Sequence, residues 1–116
     1  MVDDTYNSNP LGSRAAVERL SAAVGGRAVL VTPGMVELGR SQFAENLRLG
    51  GFAAGRLSDV VIVGRTNRRA LLKGARGGAC RVWCVADRQA AVAWVRGQLG
   101  DGDGVLYEND LPDHYP

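Results

Sequence analysis

The sequence predicts an α/β fold: a mainly parallel sheet of about five strands with helices on both faces. Short apolar runs alternate with segments whose apolar residues recur at helical spacing, and Gly-rich breaks separate them. The run at 27–31, Arg-Ala-Val-Leu-Val, is a nearly continuous β-favouring run, as expected for a central strand that is covered on both faces. The run at 59–63, Asp-Val-Val-Ile-Val, is the clearest strand of the sequence. Because this alternation is typical of parallel strand–helix–strand units, we expect a Rossmann-like domain of three layers.

The predicted strands and helices alternate along the whole chain. The first strand is expected to end near Tyr6, and the others are expected at about 27–31, 59–63, 82–85 and 104–107. Helices are expected after Pro10 with Ser13 as cap, from about Ser41, from Thr66 or Asn67 through Lys73, and from Asp87 to Leu99. The second helix is expected to carry its apolar side chains on one side: Phe43, Ala44, Leu47 and Ala53. The pair Gly50-Gly51 is expected to weaken its later turns.

Size and composition fit one ordinary globular domain. The 116 residues are enough for one hydrophobic core but too few for two nucleotide-handling lobes, and 46% of them are hydrophobic and 22% charged. No apolar run approaches the roughly 20 residues that a membrane-spanning helix needs. The start of the chain shows no basic leader followed by an apolar stretch, so we expect a cytoplasmic location and no membrane span.

The two cysteines, Cys80 and Cys84, flank a short apolar run with no second pair of metal ligands. A zinc site needs four ligands and the single histidine, His114, is thirty residues away, so no metal site is expected. Alternation along a strand points both cysteines to one face, where they are expected to be small core residues. Trp83 and Trp94 are expected in or near the core.

Charge is unevenly distributed. Between residues 60 and 86 there are six cations and no acid, whereas after residue 100 there are five acids and no Lys or Arg. A basic patch attracts phosphates or nucleic acid. Thirteen arginines against one lysine nevertheless indicate a coding bias more than a selected surface, so we expect no nucleic-acid partner. A nucleic-acid adaptor that uses the patch from Arg65 to Arg81 is retained as an alternative.

The densest group of hydrogen-bonding side chains lies at the expected end of the first strand, in Asp4-Thr5-Tyr6-Asn7-Ser8-Asn9-Pro10. A carboxylate, a phenol and two amides within six residues can hold a sugar or a base edge, and Pro10 stiffens the chain that follows. Asn and Asp are also common turn formers, and Pro commonly starts a helix. The spacing, with Asp4 and Tyr6 included, favours a ligand site.

This segment resembles the Asp-x-Tyr-Asn-x-Asn-Pro signature that opens the C-terminal domain of the Mur ligases, closest to the D-alanyl-D-alanine-adding type. A second segment, Gly34-Met35-Val36-Glu37-Leu38-Gly39, is similar to the Gly-Asp-Met-x-Glu-Leu-Gly segment of these ligases but lacks its first acidic residue. The resemblance rests on specific residues over roughly 3–64, and beyond that on the order of strands and helices.

The resemblance implies that residues 1–116 form a single Mur ligase C-terminal-like domain excised from a larger, ADP-forming amide ligase of cell-wall precursor synthesis. It implies that Asp4, Tyr6, Asn7 and Asn9 face the nucleotide. ATP and Mg²⁺ would be bound mainly by the missing central domain, since no Gly-x-x-x-x-Gly-Lys-Ser/Thr loop occurs here. No catalytic residue is therefore expected, and the isolated domain is expected to be inactive. The implied partners are the other ligase domains, an amino acid or peptide, and a cell-wall precursor.

Two strand ends are candidates for binding the amino substrate. After the third strand, Arg65 or Arg68 could hold a carboxylate while Thr66 and Asn67 orient it, because an arginine fork matches a carboxylate. A capped helix with solvated arginines explains these residues equally well. After the last strand, Glu108 and Asp110 could receive an ammonium group, although acids in an exposed tail are usually only solvated.

A function of another class fits the same fold. The chain could be a stand-alone, non-catalytic Rossmann-like binding or regulatory module. A reading frame that extends N-terminally with a Gly-Lys-Thr/Ser loop would favour the ligase.

Overall fold

The computed structural model describes residues 2–6 and 10–108, and within them one five-stranded parallel sheet is flanked by four helices. The strands are β1 (Val2–Tyr6), β2 (Ala28–Thr32), β3 (Asp59–Val63), β4 (Arg81–Val85) and β5 (Gly104–Glu108). The helices are α1 (Pro10–Ala23), α2 (Gln42–Ala54), α3 (Arg68–Ala75) and α4 (Arg88–Gln98), and a short 3-10 turn (Gly39–Ser41) precedes α2. The predicted fold class and element order are confirmed.

The strand order is β1-β5-β2-β3-β4, so the chain moves in one direction through β2, β3 and β4 and then returns to insert β5 beside β1. Parallel crossovers are almost always right-handed, so reversing the direction moves the connecting helix to the opposite face. The core clusters agree with this rule. The three helices α1, α2 and α3 pack on one face of the sheet, and α4 packs alone on the other.

Alternate residues of the central strands supply the two cores. Leu30, Ile62 and Leu106 pack under α1–α3, whereas Val31, Val61 and Val105 pack under α4. Every residue of β2, β3 and β5 is buried, which explains why these runs are apolar except at their ends instead of alternating.

Glycines on α2 and α3 let the two helices approach closely. A Cβ on Gly50 would lie 2.5 Å from the Leu71 carbonyl oxygen, and one on Gly74 would collide with the Leu47 carbonyl. α2 continues past Gly50-Gly51 to Ala54, and Gly50 provides a contact with α3. That the two glycines weaken the later turns of α2 stays a prediction.

This close contact also sets which side of α2 is buried. Asn46, Leu49 and Ala53 are buried, while Phe43 and Ala44 are exposed, so the predicted apolar side was wrong in its first turn and correct at Ala53. Phe43 lies too far round the helix from Leu49 to reach the core.

Ser13 does not cap α1. The helix already begins at Pro10, and Ser13 lies fully buried inside it, with its hydroxyl 3.5 Å from the sulfur of Met35. The predicted cap was wrong because proline occupies the first helical position, where its missing N–H costs nothing.

β4 forms the outer edge of the sheet, next to β3 alone. Trp83 is 39% exposed and Cys84 is exposed, so their predicted places in the core were wrong. An edge strand has less covering its side chains, and periodicity alone does not distinguish it from a central strand. Trp94 packs half-buried against the α4-side core, as predicted, and Cys80 is half-buried.

The edge of the sheet at which the strands begin, which we call the amino edge, contains the buried carboxylate of Asp59. Asp59 accepts hydrogen bonds from Arg27 at 3.2 and 3.0 Å and from the Trp83 indole at 2.9 Å, and Arg81 lies 3.3 Å away. Trp83 and Trp94 stack with ring centroids 5.6 Å apart, and the Arg27 guanidinium lies over Trp94. Since the Asp59 carboxylate is paired by Arg27, Trp83 and Arg81, these contacts stabilise this edge of the sheet.

Within residues 2–6 and 10–108, no helix has the length and apolar character that a membrane crossing requires.

Candidate functional site

All five strands are parallel, so their carboxyl ends meet at one edge of the sheet, which we call the carboxyl edge. The register pairs Tyr6 with Glu108, Thr32 with Ile62, and Val63 with Val85. Ligands of open α/β sheets bind outside this edge. The end of β1, the loop after β2, the segment after β3 and the end of β5 are therefore brought to one side of the sheet.

The predicted nucleotide-binding residues begin at one end of this edge. Asp4 and Tyr6 lie on β1, where Asp4 pairs with Leu106 and Tyr6 is the last residue of the strand. Asn7 and Asn9 lie outside the described residues. The assignment of these four residues to a nucleotide stays a prediction.

Glu108 is fully buried at the end of β5, next to β1 and β2. Its carboxylate accepts a hydrogen bond of 3.1 Å from the Thr32 hydroxyl, and that hydroxyl accepts one of 2.8 Å from the Gly34 N–H. Glu108 thus helps to hold the start of the loop after β2, and its contact with an ammonium group stays a prediction. Asp110 lies outside the described residues.

Two buried asparagines hold the loop that follows β2. Asn46 accepts a hydrogen bond from the Met35 N–H at 2.8 Å and donates one to the Met35 carbonyl at 2.9 Å. Asn67 donates to the carbonyls of Pro33 and Met35, at 3.0 and 3.2 Å, and accepts from Gln42. The loop is therefore fixed to α2 and to the start of α3.

Asn67 stands at the N-cap position of α3, as predicted, but its side chain makes no capping hydrogen bond. Its two amide hydrogens and its oxygen are all engaged by the loop and by Gln42. The structure gives Asn67 a positioning role for the loop after β2, and it does not bring its side chain into the crevice described below.

The same loop contains a residue in a strained conformation. Glu37 has φ of 63°, in the left-handed region that non-glycine residues rarely adopt, and it lies between Gly34 and Gly39, which also have positive φ. Strained residues concentrate at functional sites because the surrounding contacts must hold them in place. Val36 and Glu37 are exposed on the side where the sheet would receive a ligand.

A crevice opens between the ends of β3 and β4. The chain leaves β3 toward α3 on one face and leaves β4 toward α4 on the other, which makes this the topological switch point of the sheet. The crevice has a volume of about 360 Å³ and is lined by Gly64, Arg65, Thr66, Arg68, Cys84, Val85 and Ala86. The predicted residues Arg65, Thr66 and Arg68 are brought together here.

Arg68 has an unusual environment in this crevice. The residue is half-buried, and its Nε is buried without a hydrogen-bond partner among residues 2–6 and 10–108. A buried donor without a partner is costly, so a ligand oxygen at this point would be favourable. The chemistry available is binding of a negatively charged group by two guanidinium forks.

The resolved pKa shifts belong to the amino side of the sheet. Burial, with the Asp59 carboxylate as a second cause, raises the pKa of the Cys80 thiol, which makes that thiol a poor nucleophile. Hydrogen bonds from the backbone N–H groups of Gly100 and Arg27 lower the pKa of Asp103. Asp103 thereby fixes the residues just before β2 and β5, and neither Cys80 nor Asp103 lines the crevice.

Sequence reasoning missed the buried hydrogen bonds of Thr32 and Asn46 and the exposure of Cys84 in the crevice. Asn46 carried a signal, since an amide among apolar helical positions needs a buried partner. Nothing in the sequence indicated that Cys84 is exposed, because the sequence pattern of an edge strand resembles that of a central strand.

The fold and the site define a class: a doubly wound parallel α/β domain with an arginine-lined crevice at its switch point. The sequence model of the family described as "Mur ligase, glutamate ligase domain" matches residues 1–107. The chain belongs to this family, and the resemblance read from the sequence is confirmed.

Curated relatives are UDP-N-acetylmuramoyl-tripeptide–D-alanyl-D-alanine ligases. The protein of Mycobacterium tuberculosis is 35% identical, with 91% of this chain and 25% of the relative aligned. That of Mycobacterium leprae is 32% identical, with 91% and 24% aligned. The chain therefore spans about a quarter of the length of the curated relatives that it matches.

Solved structures agree on the fold. MurF from Acinetobacter baumannii superposes with a TM-score of 0.73 at 28% identity, covering 90% of this chain and 23% of that one. The MurF ligase from Thermotoga maritima in complex with ADP superposes with a TM-score of 0.72 at 20% identity over the same shares, which supports the fold alone.

Proposed function

We propose that this chain is the C-terminal domain of an ATP-dependent amide ligase of cell-wall precursor synthesis. It would close over the nucleotide and position the amino substrate for attack on an acyl phosphate. One observation carries the proposal: in a domain of this family, the carboxyl end of β1, the fixed loop after β2 and the arginine-lined crevice all lie at one edge of the sheet. The match over residues 1–107 favours this function over a stand-alone binding module.

The residues of this chain would bind the nucleotide and the amino substrate and orient them for the reaction. ATP, when bound, supplies the phosphoryl group that activates the carboxylate of the precursor. The amine of the incoming substrate then forms the amide bond, phosphate leaves, and the ammonium proton is released. Holding an amine against an activated carboxyl in the correct geometry contributes a large part of such a rate enhancement, on the order of 7–11 kcal/mol at best.

Each predicted residue has a place in this scheme. Arg65 and Arg68 would hold a carboxylate of the amino substrate in the crevice, with Thr66 beside them. Asn67 would act through the loop that it holds. We retain Glu108 and Asp110 as the proposed partners of the ammonium group, with Glu108 fully buried and bonded to the Thr32 hydroxyl.

The nucleotide contacts would come from Asp4, Tyr6, Asn7 and Asn9, with Asp4 as a hydrogen-bond acceptor for a ribose hydroxyl. Within residues 2–6 and 10–108, no three His, Cys, Asp or Glu side chains cluster to hold a metal ion. On the family resemblance, we assign Mg²⁺ and the nucleotide phosphates mainly to the other ligase domains. A cytoplasmic location, where ATP is supplied, belongs to this proposal.

The nucleotide role is tested in the longer ligase that carries this domain. Asp4→Ala should lower kcat/KM for ATP by tenfold or more, because a hydrogen bond to the ribose is lost, while the melting temperature stays unchanged. Glu18→Ala removes an exposed acid on α1 and serves as the matched control. If the two variants have equal kinetics, Asp4 has no role at the nucleotide.

The substrate role is tested through the exposed thiol of Cys84, which lines the crevice. In a Cys80→Ser background, D-alanyl-D-alanine should slow alkylation of Cys84, because its carboxylate would be held by Arg65 and Arg68 next to the thiol. D-alanyl-D-alaninamide, which lacks the carboxylate, should protect much less. Equal protection by the two ligands would refute carboxylate recognition by the arginines.

A further inference from the structure

A second concave surface runs along the outer side of α3. It has a volume of about 690 Å³ and is lined by Arg65, Arg68, Arg69, Leu72, Lys73 and Arg76. Their positions follow the spacing i, i+3, i+4, i+7, i+8 and i+11, so they form one stripe on the helix surface. We call this surface the α3 groove.

The cations of the α3 groove lack acidic partners in the described part of the chain. The ion pairs found there join Arg27 and Arg81 to Asp59, and Arg48 to Glu45, and none includes a groove residue. Five cations held on one stripe repel one another, and salt or a bound anion relieves this repulsion. The buried Nε of Arg68 adds a donor whose partner is not among the described residues.

The shape of the groove indicates the kind of anion. From Arg68 to Arg76 it extends about 12 Å at roughly 1.5 Å per helical residue, and a single carboxylate would engage only one end of it. Arginine forks match phosphate oxygens as well as carboxylates, and several phosphates in a row would engage several forks at once. Leu72 is the single apolar residue of the lining, and no aromatic side chain is present on which a base could stack.

We propose that the α3 groove is a binding site for a ligand that carries several linked phosphates, which it recognises by their charge and not by an attached base. This site is separate from the function proposed above, because Arg69, Lys73 and Arg76 lie outside the crevice. Arg65 and Arg68 line both surfaces, so a phosphate ligand in the groove would compete with a carboxylate in the crevice.

The test uses calorimetric titration of the 116-residue chain with inorganic tripolyphosphate at 50 mM NaCl. The variant Arg69→Ala/Arg76→Ala should bind at least tenfold more weakly. The matched control Arg19→Ala/Arg96→Ala removes two exposed arginines from α1 and α4 and should bind within twofold of the unmodified chain. The NMR signal of the Arg68 Nε–H should shift on binding.

Three results would overturn the proposal. No binding at millimolar tripolyphosphate would show that the groove is only a solvated face. Equal weakening by both double variants would show attraction by net charge without a site. A single-stranded oligonucleotide with three phosphates that binds tenfold more tightly than tripolyphosphate would show that bases are read, whereas equal binding would support recognition of phosphates alone.

Discussion

Replacing Asn46 by alanine should destabilise the domain and release the loop after β2. Asn46 is fully buried, and its carboxamide satisfies both backbone groups of Met35. In the variant, the Met35 carbonyl keeps its hydrogen bond from Asn67 at 3.2 Å, whereas the Met35 N–H loses the partner that Asn46 provides. A buried donor left without a partner costs about 1–3 kcal/mol, and the smaller side chain leaves a cavity that costs about 1 kcal/mol more.

The expected loss is therefore about 2–4 kcal/mol of unfolding free energy, measured by urea denaturation with an unchanged m-value. Arg48→Ala, at an exposed position on the same helix, should change stability by no more than about 0.5 kcal/mol. A similarly small loss for Asn46→Ala would refute the reasoning, since it would show that the loop is not held by this side chain. In the longer ligase, the Asn46 variant should also lower activity after correction for its folded fraction.

Two further perturbations test the packing of α2 against α3 and the charge of Asp103 near the amino ends of the strands. Gly50→Ala should destabilise the domain by about 1–3 kcal/mol, because its Cβ would meet the Leu71 carbonyl. The control Gly97→Ala adds a Cβ in open space on α4 and should stabilise the domain by up to about 1 kcal/mol. Equal effects of the two variants on the urea midpoint would contradict the α2–α3 contact. The pKa of Asp103 is lowered by folding, so its stabilisation is present above about pH 4 and is lost as the pH falls through the folded pKa. The unmodified chain should therefore exceed Asp103→Asn in urea midpoint at pH 6, and the gap should narrow at pH 3; a constant gap would exclude this linkage.

Local patterns predicted the elements well where burial is uniform. The strands β2, β3 and β5 could be recognised in the sequence because central parallel strands are apolar on both faces. The start of α4 was visible because Asp87 caps it, accepting a hydrogen bond from the Ala90 N–H at 2.8 Å. Predictions failed where the burial of a side chain depends on which strand or helix lies next to it. Trp83 looked like a core residue, yet it lies on an edge strand and reaches back to Asp59.

Site residues were predicted in part for the same reason. Arg65 and Arg68 follow a recognisable strand, and the carboxyl end of a parallel strand lies at the ligand-binding edge in any such sheet. The role of Asn67 in holding the loop after β2 could not be predicted, because its partners Pro33 and Met35 are more than thirty residues away in the chain. The pairing of Thr32 with Glu108 joins residues that are 76 positions apart.

The sequence by itself determined the alternation of strands and helices, the polar motif before Pro10 and the family, because these depend on residues that are close together in the chain. Only the tertiary structure decided which strands are edges, which side of α2 is buried, and that the switch-point crevice lies between β3 and β4. The physical reason is that β5 inserts between β1 and β2 through contacts of long sequence separation. No local pattern encodes which strands will be neighbours, and that choice sets where the ligands can bind.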